Sequence, residues 1–400
     1  MYTVFLLTLL ALSSVYGNST ITPKLNPGCK QCLTNETLLI YIKAQDDGLN
    51  YTVHHVWDFT GHVPTMFYIV GTENSTVRVM WDGSKPQDIV AKDSFYSFAI
   101  VLSNLFEYND TDPDKVSFDY RYPHRDIPLR DVKWRLDKGV LTPLMAKVRV
   151  RGDLSWERHK MNGTIDMKLV LVPFEGRSPS LPRLYHSVNT TQVDVSLQSL
   201  TVSSQYSAPR LALRYVIVSQ DCAGGELRYK EERSIDDEYT PGVFETINLM
   251  TPSGAECGGG ARGAGAAGGG FVQFRPVAYT ERVRDVENSV TAYVGYNRSE
   301  IPRDCLVEKY YAKFDQDHVF ASEVVASFGQ TGDGFYNKTN YTVWTYSVGY
   351  GTPPAQHASV FLIVMLVLGI TTPFVALFLS CCISARMLRR NRPSILIEDA

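Results

Sequence analysis

The feature that most constrains this chain is a long apolar run near its C-terminus. Val360–Leu379 contains twenty residues and no charged side chain. At a helical rise of about 1.5 Å per residue, such a run covers roughly 30 Å, the thickness of the hydrocarbon layer of a bilayer. Core helices of soluble proteins rarely remain uncharged over this length. We therefore predict one transmembrane helix over residues 358–384.

The charges that flank this helix predict its orientation. Four arginines follow it within residues 385–400, whereas residues 340–357 contain no Lys or Arg. Positively charged flanks stay in the cytoplasm, so residues 385–400 form a short cytoplasmic tail and residues 18–357 lie on the luminal side. The apolar run Val4–Leu12 and the small residue Gly17 predict a secretory signal peptide over residues 1–17. A second membrane anchor is the alternative for this segment.

Glycosylation motifs are frequent in the predicted luminal part. The chain has ten Asn-x-Ser/Thr sequons. Asn18 abuts the cleavage site and is left out of the predicted set, and Asn337 and Asn340 are close enough for one glycan to hinder the other. A sequon alone is weak support, but this number beside a signal peptide and an anchor predicts dense N-glycosylation. The predicted sites are Asn35, Asn50, Asn74, Asn109, Asn162, Asn189, Asn297, Asn337 and Asn340.

Five of the seven cysteines are on the predicted luminal side, where disulfides are stable. The Cys29-x-x-Cys32 pair lies in Pro-rich coil, which favours a local disulfide over a redox motif. Cys222 and Cys305 each lie at the end of a strand-like segment, so we predict a long-range disulfide between them. Cys257, in the Gly/Ala-rich stretch, is then the odd one.

Short apolar and polar alternations dominate the luminal part and predict strands. They favour a mainly β fold, an antiparallel β-sandwich-like region with two packed sheets or domains. The Pro-rich stretch 173–182 is the predicted boundary of a possible subdivision, residues 253–270 are a predicted flexible loop, and Phe98–Tyr108 is the best candidate for a helix in the luminal part. The predicted strands are Leu38–Ala44, Thr76–Trp81, Met145–Val150, Ile165–Leu171, Val193–Leu197, Leu211–Val218, Phe271–Tyr279 and Tyr341–Val348.

Motifs for chemistry are weak. Adjacent His54 and His55 would point to opposite sides of a strand, which disfavours a metal site with Asp58 and His62. The acidic run 234–241 is read as a turn rather than a calcium site or paired acids, Arg151-Gly152-Asp153 as a hairpin turn rather than an integrin motif, and the Gly263-x-Gly265-x-x-Gly268 pattern as loop. A net charge of −3 gives no basic field for nucleic acid. We predict no catalytic residue, no metal, no cofactor and no small-molecule substrate.

Two specific peptides, Ser234–Phe244 and Phe274–Tyr279, together with His55-Val56-Trp57, resemble the glycosylated lysosomal membrane protein family. The order of signal peptide, sequons, β-rich lumen, one anchor and short tail is similar too. The Gly/Ala-rich loop departs from this pattern as an insertion between the two peptides.

The resemblance implies residence in the lysosomal membrane and no catalysis. It implies an accessory subunit that binds a lysosomal transporter of the major facilitator superfamily, which exports small peptides, and protects it from luminal proteases. The alternatives are a glycan-coat protein without a dedicated partner and an anchored luminal hydrolase.

Two further segments have predicted roles in this setting. Gly369, Thr371, Thr372 and Pro373 interrupt the aliphatic helix, and small or hydroxylated residues favour helix packing in lipid, so we predict that they contact the transporter. The tail lacks tyrosine, and Ile395, Leu396 and Ile397 are the predicted dileucine-type sorting signal.

Overall fold

The structure, a computed structural model, describes residues 19–32, 37–46, 48, 50–60, 63–111, 118–156, 161–188, 190–220, 224–236, 242–252, 269–354 and 360–390. Within these ranges the chain is mainly antiparallel β, which confirms the predicted fold class. The strands are β1 (Thr20–Leu25), β2 (Leu39–Gln45), β3 (Thr52–Asp58), β4 (Thr65–Asp82), β5 (Lys85–Asn109), β6 (His124–Pro128), β7 (Lys133–Thr142), β8 (Met145–Trp156), β9 (Met161–Leu171), β10 (Gly176–Arg177), β11 (Tyr185–His186), β12 (Thr191–Gln198), β13 (Pro209–Ser219), β14 (Arg228–Asp236), β15 (Gly242–Met250), β16 (Gly270–Tyr279), β17 (Ser289–Arg298), β18 (Phe320–Phe328) and β19 (Tyr341–Tyr350).

The helices of the described ranges are few. They are α1 (Leu306–Tyr311), α2 (Phe335–Thr339) and α3 (Val360–Arg390), with 3-10 turns at Leu129–Asp131 and Gln316–His318. The chain divides into two compact units, one of residues 1–232 with 246–355 and one of residues 233–245 with 356–400. The first unit contains most of the sheet, and the second contains α3. The predicted signal peptide lies outside the described residues.

Hydrogen bonds join most strands into one large sheet with two halves. In the first half the order is β1-β2-β3-β4-β5-β13-β18-β17. In the second half it is β7-β8-β9-β12-β19-β16-β15. Strand β17 pairs with β18 and also with β16, so it connects the two halves.

One hydrophobic core is shared by the inner faces of both halves. Tyr215 of β13 packs with its ring centroid 5.9 Å from that of Tyr346 and 6.0 Å from that of Trp344, both on β19. All three side chains are almost fully buried. Because β13 belongs to the first half and β19 to the second, the two inner faces pack on each other.

Each predicted strand lies within an observed strand, apart from Leu38, which lies one residue before β2, but the predicted helix is wrong. Phe98–Tyr108 is the second part of strand β5. Phe98 and Ile100 point into the shared core, whereas Ala99 and Val101 belong to a separate apolar cluster on the other face. Both faces of this strand are therefore buried, and its first part, Phe98–Leu102, is apolar at every position, which hides the period of two.

The Pro-rich stretch 173–182 does not separate two bodies. Strand β9 before it and strand β12 after it pair directly, with Val170 opposite Gln192 at one end and Thr164 opposite Gln198 at the other. The stretch contains β10, which forms a two-residue ladder with β11. It is therefore a connection inside the first unit.

The first half also has an apolar face turned away from the shared core, here called the apolar outer face. It includes Leu39, Val56, Phe67, Val101 and Val216, and α1 covers it with Leu306, Tyr310 and Tyr311. The Phe67 ring meets the Tyr310 ring edge-on at a centroid distance of 4.8 Å. This cover explains why residues on both sides of these strands are apolar.

Candidate functional site

The apolar run predicted to span a membrane is helical in the structure. Val364–Met387, a stretch of 24 residues with a mean hydropathy of 2.3, is the one helix of the described ranges that is long and apolar enough to cross a bilayer. Thr371 Oγ1 donates to the carbonyl of Val367 at 2.7 Å, so this hydroxyl is satisfied inside the helix. Pro373 lies in the helix interior, where it cannot donate to the Gly369 carbonyl. Apart from the adjoining turns of the helix backbone, no atom of the described residues lies within 4 Å of the position that a Gly369 side chain would take.

The described sequons lie mostly at exposed positions. Six asparagines are exposed, and Asn109 is half-buried at the end of β5, where its Oδ1 accepts from the Ala208 amide at 3.0 Å. Asn35 and Asn189 lie outside the described residues. The exposed set is Asn50, Asn74, Asn162, Asn297, Asn337 and Asn340. Nothing in the fold therefore blocks a glycan at these six positions.

The cysteines agree with one predicted disulfide and contradict the other. Cys29 and Cys32 are joined, with their Cα atoms 5.8 Å apart. Cys305 is a buried free thiol, and its Sγ donates to the Pro302 carbonyl at 3.1 Å. It also accepts from the Glu308 amide as the N-cap of α1, so the side chain is turned inward. Burial raises the pKa of this thiol to about 11.

The predicted Cys222–Cys305 disulfide is therefore wrong, because Cys305 is a free thiol. Cys222 and Cys257 lie outside the described residues. The turn residues beside Cys222 and Cys305 do not reveal that the Cys305 side chain caps a helix.

His54 and His55 point to opposite sides of β3, as predicted. His54 Nδ1 lies 2.8 Å from the Tyr41 hydroxyl and its Nε2 lies 2.9 Å from Ser75 Oγ. His55 Nδ1 lies 3.2 Å from Thr191 Oγ1 of the second half. Burial lowers the pKa of His54 to about 4 and that of His55 to about 3. Both rings are thus neutral parts of the packing.

Other predicted motifs do not form sites in the part of the chain that the structure describes. No group of three His, Cys, Asp or Glu residues there is arranged to hold a metal ion, and His62 lies outside it. Arg151-Gly152-Asp153 continues strand β8 instead of forming a turn. A side chain at Gly152 would collide with Val132 and Trp134. Residues 237–241 of the acidic run, the Gly/Ala-rich segment 253–268 and Ile395–Ile397 lie outside the described residues.

The outer face of the second half of the sheet forms a cleft that the sequence did not predict, here called the polar cleft. Its cavity is about 530 Å³ and is bounded by the outward side chains of β8, β9, β12 and β19 and by the loops 179–183 and 282–284. Alternate residues of β12, Val195 and Leu197, point into the shared core. The residues between them face the cleft. The strand side chains that line it include Arg149, Asp166, Lys168, Asp194, Ser196 and Gln198.

Ion pairs hold the floor of the polar cleft together. Asp194 lies 2.9 Å from Arg284 Nη2 and 3.0 Å from Lys168 Nζ, and it accepts from Thr345 Oγ1 at 2.7 Å. Burial alone would raise the pKa of Asp194, but Arg284 and Lys168 outweigh it and the pKa lies below its usual value. Thus Asp194 stays ionised.

The second cleft carboxylate, Asp166, is ion-paired through its Oδ2. It pairs with Arg149 and accepts from Gln198 Nε2 at 2.8 Å. A hydrolase with paired acids needs one carboxyl group with a raised pKa. The cleft offers two ion-paired carboxylates, so its geometry gives no support to the hydrolase alternative.

The alternation of charged and apolar residues along single strands is a sequence pattern that could have indicated this cleft. Charged residues alternate with apolar ones at Arg149 and Arg151, at Asp166 and Lys168, and at Asp194. Only the strand register shows that they meet: Lys168 lies opposite both Arg149 and Asp194, and Asp166 lies opposite Ser196.

Comparison with known proteins identifies relatives over nearly the whole chain. Residues 38–392 match the model of a family described as glycosylated lysosomal membrane protein. The chain is 25% identical over 372 residues to Glycosylated lysosomal membrane protein A of Xenopus laevis, covering 88% of this chain and 86% of that protein. It is 26% identical over 382 residues to the Danio rerio protein of that family name, covering 90% and 87%. The Homo sapiens protein is 25% identical over 335 residues, covering 80% and 77%.

Proposed function

The chain belongs to the glycosylated lysosomal membrane protein family, and from this premise we propose that it is a non-catalytic accessory subunit of a lysosomal transporter. Membership of this family identifies the chain as a glycoprotein of the lysosomal membrane. The proposed partner is a multispanning transporter of the major facilitator superfamily that exports small peptides. The proposed role is to bind this partner and protect it from luminal proteases.

The observation that supports this role most directly is the placement of the sequons on a densely packed β unit. Six described sequons are exposed. By contrast, the core shared by the two halves of the sheet and the apolar outer face under α1 are buried. Proteases need an extended, accessible backbone, which ladder hydrogen bonds and bulky glycans both deny them. Such a unit is suited to cover the exposed loops of a less protected partner.

Co-purification tests the partnership. We expect the tagged full-length protein, extracted in mild detergent, to recover one multispanning transporter in a stoichiometric amount. Deletion of this protein should lower the lysosomal level of that transporter, and inhibition of luminal proteases should restore it. Recovery without any multispanning protein would favour the glycan-coat alternative, and an unchanged transporter level after deletion would contradict the protective role.

A sequon variant tests the shield separately from binding. Replacing Asn by Gln at the six exposed sequons should leave co-purification intact and shorten the lifetime of the transporter. The matched control replaces six exposed polar residues that are not in sequons. A transporter lifetime equal to that of the control would show that glycans have no part in protection.

A helix variant tests the predicted contact in the membrane. Replacing Gly369, Thr371, Thr372 and Pro373 by Leu keeps the span apolar and should reduce recovery of the transporter. The control replaces four residues elsewhere in the same helix by Leu, namely Val364, Met365, Ile383 and Met387. Equal recovery from both variants would make the helix an anchor only and place the interface in the luminal part.

A further inference from the structure

The polar cleft has more positive than negative charge. Arg149, Lys168, Arg183, Arg282 and Arg284 line it, against the carboxylates of Asp166 and Asp194. Asp194 is shared by Arg284 and Lys168, and Asp166 pairs with Arg149. The carboxylates are therefore used by the floor of the cleft, and Arg282 contributes positive charge outside these ion pairs.

Arg282 is the clearest source of this excess. Its Nη2 donates to Gln198 Oε1 at 3.0 Å, and its side chain is exposed at the mouth of the cleft. Among the residues that the structure describes, no carboxylate lies within ion-pair distance of Arg282. A guanidinium presents five donors in a planar fork, so one bond to an amide leaves a surface that fits an oxyanion.

The other residues that line the polar cleft indicate the chemistry of the rest of the ligand. Ser180, Ser196 and Tyr341 provide hydroxyl groups. Apolar side chains are few and separated: Pro179 and Leu181 lie in one loop, Val283 in the other and Val343 on β19. An acyl chain needs a continuous apolar groove, whereas a sugar needs closely spaced hydrogen-bonding groups and fits within about 530 Å³.

We propose that the polar cleft is a binding site for a sulfated or phosphorylated sugar. The non-bridging oxygens of the sulfate or phosphate group accept hydrogen bonds from the guanidinium of Arg282, and the sugar hydroxyls bind Ser180, Ser196 and Tyr341. The floor ion pairs hold Arg284 and Lys168 in place and keep the cleft open. Since sulfate esters remain ionised in acid and Asp194 keeps its charge, binding persists at about pH 5.

Calorimetric titration of the purified full-length protein in neutral detergent at about pH 5 tests the proposal. The probes are N-acetylglucosamine 6-sulfate and N-acetylglucosamine. We expect the sulfated sugar to bind at least tenfold more tightly than the neutral one, and Arg282→Gln to weaken its binding about tenfold, since each charge-assisted bond to an oxyanion contributes on the order of this factor.

The matched control is Arg78→Gln, which removes the same charge from an exposed position of the β4–β5 hairpin outside the cleft. It should leave binding unchanged. Equal weakening by Arg282→Gln and Arg78→Gln would reduce the effect to general electrostatics and overturn the site. Absence of binding both before and after enzymatic deglycosylation would overturn it as well.

Two further measurements identify the molecule that carries the oxyanion. Asn340 directly precedes Tyr341 of the cleft, so an acidic group on the protein's own glycan could occupy the site. Binding that appears only after enzymatic deglycosylation would support the site and identify the own glycan as its occupant. Arginine-dependent binding to vesicles of anionic phospholipid, with none to the sulfated sugar, would overturn the sugar assignment. These titrations need no transporter, so either outcome leaves the proposed accessory role standing.

Discussion

The outer faces of the two halves of the sheet differ in the residues they present and in what covers them. In the first half the outward face includes the apolar residues Val56, Phe67 and Val101, and α1 covers it with two tyrosines. In the second half the outward residues of β9 and β12 that line the polar cleft are charged or polar, and two loops leave a cleft above them. The alternation of a strand thus determines which residues share a face. What covers that face depends on distant segments, since α1 lies about 200 residues after the strands it covers.

Phe67→Ala is expected to have the largest effect and tests the apolar outer face. The ring is 1% exposed and packs on Tyr310 and Tyr311. Its loss should lower the free energy of unfolding by about 4 kcal/mol, through lost burial and a cavity. The matched change on the other face, Ser196→Ala, should cost under about 1 kcal/mol. Chemical denaturation of the full-length protein in detergent measures both, and similar costs would show that the two faces do not differ as described.

Asp194→Ala is expected to cost about 3 kcal/mol, because it leaves Arg284 and Lys168 without their shared carboxylate. The double change Asp194→Ala with Arg284→Met should recover a large part of this loss. The lowered pKa of Asp194 means that its contribution is present above the usual pKa of Asp and is lost only as the pH falls through the lower value of the folded state. A single variant as stable as the unchanged protein at pH 7 would show that the cleft floor is held by other contacts.

The buried histidines predict how stability depends on pH. The pKa of His55 is about 3 in the folded protein against an ordinary value of 6.5, so the unfolded chain takes up a proton first as the pH falls. Stability therefore decreases with falling pH, by about 2 kcal/mol between pH 7 and pH 5 for this residue and by a similar amount for His54. His55→Gln should remove about half of this combined loss. Denaturation curves at the two pH values measure it, and an unchanged slope would contradict the neutral state of His55.

Cys305→Ala should have the smallest effect, about 1 kcal/mol, because it removes the cap of the helix that covers the apolar outer face. Cys305→Ser keeps an acceptor at the N-cap and should cost less. Thiol labelling supplies a second measurement: Cys305 should react only after unfolding, because burial raises its pKa to about 11. Rapid labelling of the folded protein would mean that α1 opens easily.

The sequence predicted those strands and helices that depend only on the local pattern of apolar and polar residues. Strands with clean alternation, such as Val193–Leu197, were found, and the uncharged run Val360–Leu379 was found as a helix. Phe98–Tyr108 was misread because both of its faces are buried, which removes the period. The polar cleft was missed because Lys168, Asp194 and Arg284 come from separate segments, and only strand register and loop placement bring them together. Cys305 was misassigned because its contacts lie in its own helix cap.

The pairing of β12 with β19 sets a limit on when this protein can fold during its synthesis. Val195 lies opposite Trp344, so the middle of the second half stays incomplete until almost the whole luminal part has been made. At about 5–20 residues per second, the interval between the two strands takes roughly 7–30 s. Asn109 becomes half-buried only when its Oδ1 accepts from the Ala208 amide, which is made 99 residues after it. The delay between β5 and β13 thus leaves Asn109 open to the glycosylation machinery before the finished fold half covers it.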